Sequence, residues 1–289
     1  MQEPSKSFRQ SAAGKTDVGR ERDHNEDHLL VHRGLGLFIV ADGMGGNNAG
    51  EVASALAAVS MKNFFEATAS TASATYKSAD PGAPAPQAQR LVASIKKANG
   101  DIFEISSTVK AHRGMGSTIV AAFWPPESGE IHIANVGDSR CYRIRDGKIE
   151  QITRDHSLVG DALAWNPNLS EKELALLPKN IISRALGLKD TVDVDVRTEE
   201  IRAGDVFLLC SDGLSGMVTD AQMLNIVMQT QRLDEACAML IKLANEGGGT
   251  DNITVLLIRA DTDEQRAEKE QSAPAIAVSE TDEGDAARE

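Results

Sequence analysis

The stretch RDHNEDHLLVH, residues 22–32, carries side chains that could bind two different kinds of metal ion. It contains three histidines that recur every four residues, His24, His28 and His32. This spacing would place three imidazoles on one face of a helix. Two carboxylates, Glu26 and Asp27, stand among them. Imidazoles favour zinc and carboxylates favour magnesium or manganese, so the stretch by itself leaves the metal undecided.

The neighbouring residues argue against a zinc site on these histidines. Leu29, Leu30 and Val31 continue as an apolar segment before Gly34, which predicts a strand rather than a helix. In a strand, residues four apart share a face but lie about 13 Å from each other, too far to bind one zinc ion. The string HNEDH also lacks the HExxH spacing of zinc peptidases, because its glutamate stands one position too late. We therefore expect the acids to carry the chemistry.

Four further aspartates lie where an apolar segment meets glycine or another small residue. The segments are IVADGMGG with Asp42, IANVGDSR with Asp138, LLCSDGLS with Asp212 and GGGTDNIT with Asp251. A strand end holds a carboxylate rigidly, and a following glycine lets the backbone turn so that its carbonyl can face the same point. A single Asp-Gly pair is more often an ordinary turn. Four converging carboxylates would repel one another unless hard divalent cations lay between them, which favours Mg²⁺ or Mn²⁺.

The hydrophobic pattern predicts mostly short strands with a few longer helices. Helices are predicted over about 49–67, 87–109, 220–229 and 232–246, and strands over 35–40, 118–124, 205–210 and 252–258. Alternating residues predict further strands near 131–133 and 192–196, and Asp146-Gly147 marks the tip of a hairpin over 140–153. Because strands outnumber helices and rarely alternate with them, we expect an α+β domain with largely antiparallel sheets.

The chain is predicted to form one large domain with a short segment at each end. Residues 1–11 are predicted to be a disordered N-terminus, 12–260 the folded domain, and 261–289 a disordered acidic tail with ten acids against three bases. Within the domain, 68–86 is rich in small residues and proline and predicts a loop insertion. Residues 157–190 lack a clear period and contain two prolines, so we expect a mobile segment over the body of the domain.

The composition argues against several classes of function. The 289 residues carry a net charge of −13, which disfavours nucleic acid as a partner because its backbone requires a basic surface. Cys141, Cys210 and Cys237 form no CxxC pair, as is typical of proteins in a reducing compartment. The N-terminal residues lack the apolar stretch of a signal peptide, and no apolar run reaches the roughly 18 residues of a membrane span. These features predict a soluble cytoplasmic protein.

Seven motifs, taken in order, resemble those of the bacterial metal-dependent serine/threonine phosphatases of the PPM or type 2C family. They are TDVGRERDHNED (16–27), VADGMGG (40–46), GMGSTIV (114–120), NVGDSRCYRIRDGKIEQITRDHS (135–157), NIISRALG (180–187), GDVFLLCSDGL (204–214) and GGTDNITVLLI (248–258). The resemblance implies a sandwich of two antiparallel β-sheets flanked by helices, with the acids meeting at one end. It also implies that 157–190 is the variable flap of the family.

The same resemblance implies a set of metal ligands. It implies that Asp42 bridges two ions with the Gly43 carbonyl beside it, and that Asp212 and Asp251 hold the first of these ions. Glu26 and Asp27 would act at the second ion through water. Asp138 and Asp212 would hold a third, weaker ion. Arg22 matches the phosphate-binding arginine of the family, and Asn252 follows its aspartate as the family pattern has it. Ser117 and Thr118 are expected to pack beneath the site.

The implied chemistry is hydrolysis of a phosphoserine or phosphothreonine ester. Two Mn²⁺ or Mg²⁺ ions can share a bridging water and lower its pKa, while a guanidinium fork binds the phosphate oxygens. The departing alkoxide needs a proton, and some members have a histidine directly after the Asp-Gly pair, where this chain has Met44. A metal-bound water or His156 remain as alternative donors.

Two other functions stay open from the sequence. A catalytically silent binding module would keep the fold but should have lost metal acids, whereas Asp42, Asp212 and Asp251 are all present. A zinc peptidase would require the histidine site argued against above. For the phosphatase, the expected partners are phosphoproteins and an opposing Ser/Thr kinase, and the expected state is a monomer.

Overall fold

The computed structural model describes residues 8–46, 49–69, 84–125, 128–174, 176–178 and 181–262. The predicted loop insertion at 68–86 and the predicted acidic tail at 261–289 therefore lie almost entirely outside the described residues, as do most of the residues predicted to form the N-terminal segment 1–11.

Eleven strands lie within the described residues and form two antiparallel sheets. They are β1 (Arg9–Asp17), β2 (Asp27–His32), β3 (Leu37–Met44), β4 (Gly116–Ser117), β5 (Ile119–Phe123), β6 (Glu130–Val136), β7 (Arg140–Arg145), β8 (Lys148–Gln151), β9 (Asp195–Glu200), β10 (Val206–Cys210) and β11 (Ile253–Asp261). The first sheet has the order β1-β11-β10-β7-β8. The second has the order β2-β3-β5-β6-β9, with β4 paired to β3.

Helices cover the outer faces of both sheets. They are α1 (Ala49–Ala67), α2 (Pro86–Thr108), α3 (Leu158–Trp165), α4 (Glu171–Leu174), α5 (Asp212–Ser215), α6 (Asp220–Gln229) and α7 (Leu233–Glu246). The first two pack on the second sheet, and α6 and α7 pack on the first. None of the helices in the described part of the chain is both long and apolar enough to cross a membrane.

The strands are apolar on both faces because each sheet is covered on both sides. On β3, Leu37 and Ile39 point to the helices while Phe38 and Val40 point to the other sheet. The strands β10 and β11 alternate in the same way, and side chains such as Phe207 from both inner faces fill the space between the sheets. This period of two produces a helix–sheet–sheet–helix architecture. The predicted α+β sandwich is confirmed.

Some predicted boundaries change. The strand β1 begins at Arg9, inside the segment predicted to precede the domain. The strand β11 runs one residue past the predicted domain end at 260, to Asp261, which pairs with Arg9. The strand predicted over 35–40 extends to Met44, so Asp42 lies within it rather than after it. The hairpin tip is confirmed, with Asp146 at φ 51° and Gly147 at φ 70°.

The segment 157–190 is attached to the domain at both ends. It contains α3 and α4, and a single bridge between Ser157 and Ile182 joins its two ends to each other. A bridge between Leu186 and Ser117 and the hydrogen bond from His156 N to the Gly137 carbonyl connect these ends to the domain. The strand predicted near 192–196 begins only at Asp195. Val192 and Val194 do pack against the helix-side core, so their alternation reflects burial before strand pairing begins.

Candidate metal centre

Antiparallel pairing brings the predicted acids to one end of the sandwich. Asp27 opens β2 and lies directly opposite Asp42 on β3. Asp138 follows the end of β6, Asp212 follows β10, and Asp251 precedes β11. Each of these positions lies at the same end of its strand pair, because neighbouring antiparallel strands alternate in direction. The sheets therefore gather five carboxylates that are far apart in the sequence.

The carboxylates influence one another strongly. Asp42 is surrounded by protein and keeps part of its surface open to the cleft. Burial raises its pKa well above the usual range, and the charges of the other four aspartates raise it further. Burial likewise raises the pKa of Asp27 to about 7 and that of Asp138 to about 7, with Asp212 adding to both. A cluster of this kind is unfavourable as bare anions and favours bound cations.

Asp27 connects the two sheets. Its Oδ2 accepts hydrogen bonds from Ser211 Oγ and from Thr254 Oγ1, each at 2.7 Å. Ser211 follows β10 and Thr254 lies on β11, whereas Asp27 belongs to the other sheet. Two hydroxyl donors therefore fix one oxygen of this carboxylate and leave the other oxygen for a different partner.

Three buried carboxylate oxygens in the cluster have no hydrogen-bond partner. They are Asp27 Oδ1, Asp138 Oδ1 and Asp212 Oδ1. Buried polar atoms are nearly always paired, so a set of acceptors without protein partners in one place is typical of a site that binds a cation or ordered water. Oxygen donors of this kind suit Mg²⁺ and Mn²⁺, and the residues present therefore fit a divalent metal centre.

The side chains alone do not complete a ligand set. Among the described residues, no three His, Cys, Asp or Glu side chains converge closely enough to hold an ion by themselves. Magnesium and manganese commonly retain several waters and bind through only one or two carboxylates and neighbouring carbonyls. An arrangement with a backbone carbonyl and waters completing the shell is compatible with this spacing.

Glu26 lies against the start of α1. Its carbonyl accepts hydrogen bonds from Gly43 N at 3.1 Å and from Ser54 Oγ at 2.6 Å. A Cβ added at Gly50 would lie 2.6 Å from Glu26 Oε1, and one added at Gly43 would lie 2.0 Å from the Gly50 carbonyl. Glycines at both positions therefore let the helix, β3 and the Glu26 carboxylate approach one another closely beside Asp42.

Arg22 and Asn252 have different roles. Arg22 Nη2 donates to Asp251 Oδ2 at 2.8 Å, and 49% of the Arg22 side chain is exposed at the edge of the cluster. Asn252 Oδ1 accepts from Glu26 N, and its amide group donates to the carbonyls of Val18 and His24. Asn252 therefore holds the loop that carries Arg22 and Glu26 in place.

Ser117 and Thr118 support β3 as expected. Thr118 N donates to the Asp42 carbonyl at 2.8 Å, and Ser117 Oγ donates to the same carbonyl at 3.1 Å. Thr118 Oγ1 also lies 2.7 Å from Ser139 Oγ, next to Asp138. Both side chains are buried, and they link the loops that hold Asp42 and Asp138.

His156 is fully buried and engaged at both ring nitrogens. Its Nδ1 accepts a hydrogen bond from Gly137 N at 3.1 Å, so the proton lies on Nε2, which is 3.2 Å from Asp195 Oδ2. Its backbone also donates to the Gly137 carbonyl and accepts from Ser183 N. These contacts give His156 a positioning role between the 157–190 segment and the Asp138 loop, and they argue against its use as a proton donor to substrate. The sequence signal for this role is only the adjacency of His156 to that segment.

The histidines of the 22–32 stretch do not form a site. His28 and His32 lie on β2, which confirms the strand predicted there. His32 Nδ1 accepts a hydrogen bond from Leu35 N at 3.1 Å and so stabilises the turn after β2. Of the acids in the same stretch, Asp27 belongs to the cluster and Glu26 lies next to it, against the start of α1.

Two antiparallel sheets flanked by helices, with a carboxylate cluster at one end of the sandwich, are typical of one class of metal-dependent phosphatases. The model of the family described as protein phosphatase 2C matches residues 18–246. The chain therefore belongs to the protein phosphatase 2C family, and the resemblance noted from the seven motifs is confirmed.

Individual relatives cover nearly the whole domain. The serine/threonine phosphatase stp of Listeria monocytogenes is 38% identical over 250 residues, which are 86% of this chain and 94% of that protein. The serine/threonine phosphatase PstP/Ppp of Mycobacterium tuberculosis is similar in structure, with a TM-score of 0.74 and 32% identity over 87% of this chain and 99% of that one. A PstP catalytic domain in complex with 2 manganese ions has a TM-score of 0.73 and 30% identity over 88% of this chain and 100% of that one.

Proposed function

We propose that this chain hydrolyses phosphoserine and phosphothreonine esters in proteins, using two Mn²⁺ or Mg²⁺ ions. The observation that carries the proposal is the group of unpaired, buried oxygens of Asp27, Asp138 and Asp212 within one carboxylate cluster. Membership of the protein phosphatase 2C family supports the same reaction. The relative crystallised with two manganese ions supports the number and kind of ion.

The proposed ligand roles are those that the family resemblance implies for each residue. In our proposal Asp42 and the Gly43 carbonyl would hold both ions, Asp212 and Asp251 would hold the first, and Glu26 and Asp27 would act at the second through ordered water. Asp138 with Asp212 is the proposed site of a third, weaker ion. When bound, the ions activate a water for in-line attack on phosphorus.

Arg22 is the proposed phosphate ligand. A guanidinium has five N–H donors in a fixed fork, and the contact with Asp251 uses only one nitrogen. A cation on Asp251 would compete for the oxygen that Arg22 now contacts. Arg22 would then be free to bind two phosphate oxygens, with a geometry that lysine cannot reproduce.

The proton for the departing alkoxide must come from another group. The thioether of Met44 cannot supply one, and both nitrogens of His156 are engaged away from the cluster. We propose that a water ordered by the carboxylates supplies this proton. The buried carboxylates suit this role because their oxygens can accept hydrogen bonds from such a water and hold it in place.

The expected context is signalling by protein phosphorylation. We propose that the protein opposes a Ser/Thr kinase and acts as a cytoplasmic monomer. The three thiols support a reducing compartment, because Cys141, Cys210 and Cys237 are all free and buried.

A catalytically silent binding module is the second candidate, and the cluster disfavours it. A protein that had lost the chemistry should also have lost acids that are costly to bury together, yet all five aspartates remain. A zinc peptidase is disfavoured because the histidines of the 22–32 stretch lie along a strand.

The test is phosphate release from a phosphothreonine peptide with Mn²⁺, with and without a chelator. We expect the chelator to abolish activity and Asp42→Asn to lower kcat/KM by at least about 100-fold, because a bridging ligand is lost. The matched control is Asp146→Asn, which makes the same chemical change at the hairpin tip, where φ of 51° suits asparagine. Full activity in Asp42→Asn, or in the chelated protein, would refute the proposal.

A further inference from the structure

A cavity of about 350 Å³ opens between the two edge strands β8 and β9. Its polar wall consists of Asn135, Gln151, Thr153, Arg154, Asp195 and Arg197, and we refer to it as the edge cavity. We propose that the edge cavity binds an acidic side chain of the phosphoprotein substrate, a few residues away from the phosphorylated one. This inference rests on the proposed function and adds a substrate preference to it.

Among the described residues, no carboxylate oxygen forms an ion pair with Arg154 at less than 4.0 Å. Its nearest recorded carboxylate oxygen is Asp195 Oδ2, 4.0 Å from Arg154 Nη2, and 48% of the Arg154 side chain is exposed. Asp195 is already neutralised, because Arg184 Nη1 donates to its Oδ1 at 2.8 Å and His156 Nε2 lies 3.2 Å from its Oδ2. The charge of Arg154 is therefore largely available to a ligand in the edge cavity.

Arg197 is oriented but also weakly paired. Its Nη1 donates to the Ile152 carbonyl at 3.2 Å, which fixes the guanidinium at the cavity wall. Its Nη2 lies 3.4 Å from Glu199 Oε1, while Glu199 Oε2 makes a shorter contact of 2.6 Å with Arg143. The side chain is 56% exposed. Arg197 thus presents a second positive charge beside the one on Arg154.

Other arginines in the same region are fully paired, which makes the edge cavity distinct. Arg140 binds both oxygens of Asp155 at 2.7 to 3.2 Å, and Arg145 binds both oxygens of Asp205 at 2.6 and 2.7 Å. Two loosely paired guanidinium groups on one cavity are also unexpected in a chain of net charge −13. Such a local positive site favours a carboxylate ligand.

The edge cavity lies within a few residues of the carboxylate cluster. Asn135 Nδ2 donates to the Arg154 carbonyl at 2.9 Å, and Asn135 precedes Asp138 by three residues on the same strand and loop. Three residues of extended chain span at most about 10 Å. A substrate peptide rises about 3.3 Å per residue, so a side chain two to four residues from the phosphorylated one could reach the cavity.

The test compares three phosphothreonine peptides that differ only in flanking charge. The first carries two glutamates at the positions three and four residues from the phosphothreonine, the second carries alanines there and the third carries lysines. Each is made in two versions, with the pair placed before or after the phosphothreonine. For the unmodified protein loaded with Mn²⁺, we expect KM for one acidic peptide to be about 3- to 10-fold lower than for the alanine peptide, with kcat little changed. High salt should reduce this difference.

The variant Arg154→Gln/Arg197→Gln should abolish the preference for the acidic peptide. It should leave the rate on para-nitrophenyl phosphate unchanged, because that small substrate cannot reach the edge cavity. The matched control is Lys96→Gln/Lys242→Gln, which removes two positive charges from exposed helix positions that do not line the cavity. This control should keep the preference for the acidic peptide. Loss of the preference in the control as well would show that the change in net charge is sufficient to cause it.

The outcomes separate this inference from the proposed function. If the unmodified protein hydrolyses the alanine peptide but shows no preference for acid, or if the preference survives in the double arginine variant, the edge cavity proposal is wrong and the phosphatase assignment stands. If no phosphopeptide is hydrolysed, both are wrong. A preference lost only in the double arginine variant would support the proposal.

Discussion

At the scale of single residues, burial decides which side chains keep a charge. The carboxylates of the cluster are buried for a function, whereas His132 is buried for packing. Its side chain lies on β6 beside Phe123, and its Nδ1 is 2.9 Å from Thr198 Oγ1. Burial lowers the pKa of His132 to about 4, so this imidazole is neutral in the folded protein over most of the accessible pH range.

His132 should make the protein less stable in weak acid. An unfolded histidine binds a proton below a pH of about 6.5, whereas the folded one does so only near pH 4. On this residue the unfolded state therefore binds more protons between these values, so the contribution of His132 to the free energy of unfolding should fall by about 1–3 kcal/mol as the pH drops from 6.5 to 4. The raised pKa values of Asp27 and Asp138 act in the opposite direction, so the contribution of His132 is obtained as the difference between the unmodified protein and a His132 variant. Urea unfolding at several pH values measures this.

The control for this effect is His132→Gln, which keeps a polar side chain without a titrating group. Between pH 6.5 and 4 the unmodified protein should lose about 1–3 kcal/mol of stability relative to this variant, because the two proteins share the carboxylate cluster and differ only in the titrating imidazole. Identical pH profiles for the two proteins would show that His132 is not the group responsible.

At the scale of elements, the sequence predicts what is local and periodic. The apolar segments beside Asp42, Asp138 and Asp212 were predictable, because apolar runs and the small residues beside each acid are local signals, although β3 continues past Asp42 to Met44. The start of β1 at Arg9 was not, since RQSAAGKTD is mostly polar and lies at a sheet edge, held by backbone pairing with β11.

Contacts between distant residues were also beyond the sequence. The hydroxyl groups that fix Asp27 come from residues 184 and 227 positions away. The imidazole of His156 accepts a hydrogen bond from the backbone N–H of Gly137. Nearly every residue has a backbone N–H, so no sequence motif could identify this one as the partner. Such contacts follow from how the two sheets pack, and only the three-dimensional structure supplies them.

The attachment of the 157–190 segment should depend on His156. Replacing it with alanine leaves the buried Gly137 N–H without its side-chain acceptor, which should cost about 1–3 kcal/mol in the free energy of unfolding. His156→Asn should cost less, because its side-chain oxygen can accept from the same N–H. Urea unfolding gives the stabilities. Hydrogen exchange of residues 181–187 reports whether the end of the 157–190 segment becomes less firmly attached to the domain.

The comparison of the two His156 variants decides the role. Equal stability of both variants and the unmodified protein would mean that the Gly137 contact contributes nothing. Equal, large losses in both would indicate that ring packing matters more than this hydrogen bond.

At the scale of the whole molecule, the two sheets meet at a cluster of like charges. Cations there should stabilise the sandwich, because they bind the folded arrangement and relieve repulsion among acids from both sheets. At a Mn²⁺ concentration about 100-fold above the dissociation constant, the gain is about 2.7 kcal/mol. For a domain of this size we expect Tm to rise by about 5–10 °C.

Thermal unfolding with and without Mn²⁺ measures this gain independently of catalysis. Asp146→Asn should show the full rise in Tm, and Asp42→Asn should lose most of it. An equal rise in both variants would place the stabilising ion elsewhere on the surface.

The register that pairs Arg9 with Asp261 has a consequence for how the domain can be connected to others. The strand β11 runs about 30 Å from the cluster to that pair. The first and last strands of the sandwich therefore begin and end, respectively, on the side remote from the cluster. A fused module or a tether attached on either side would leave the substrate approach unobstructed. The proximity of these two positions also suits circular permutation, in which a short linker joins them and new termini open in a surface loop.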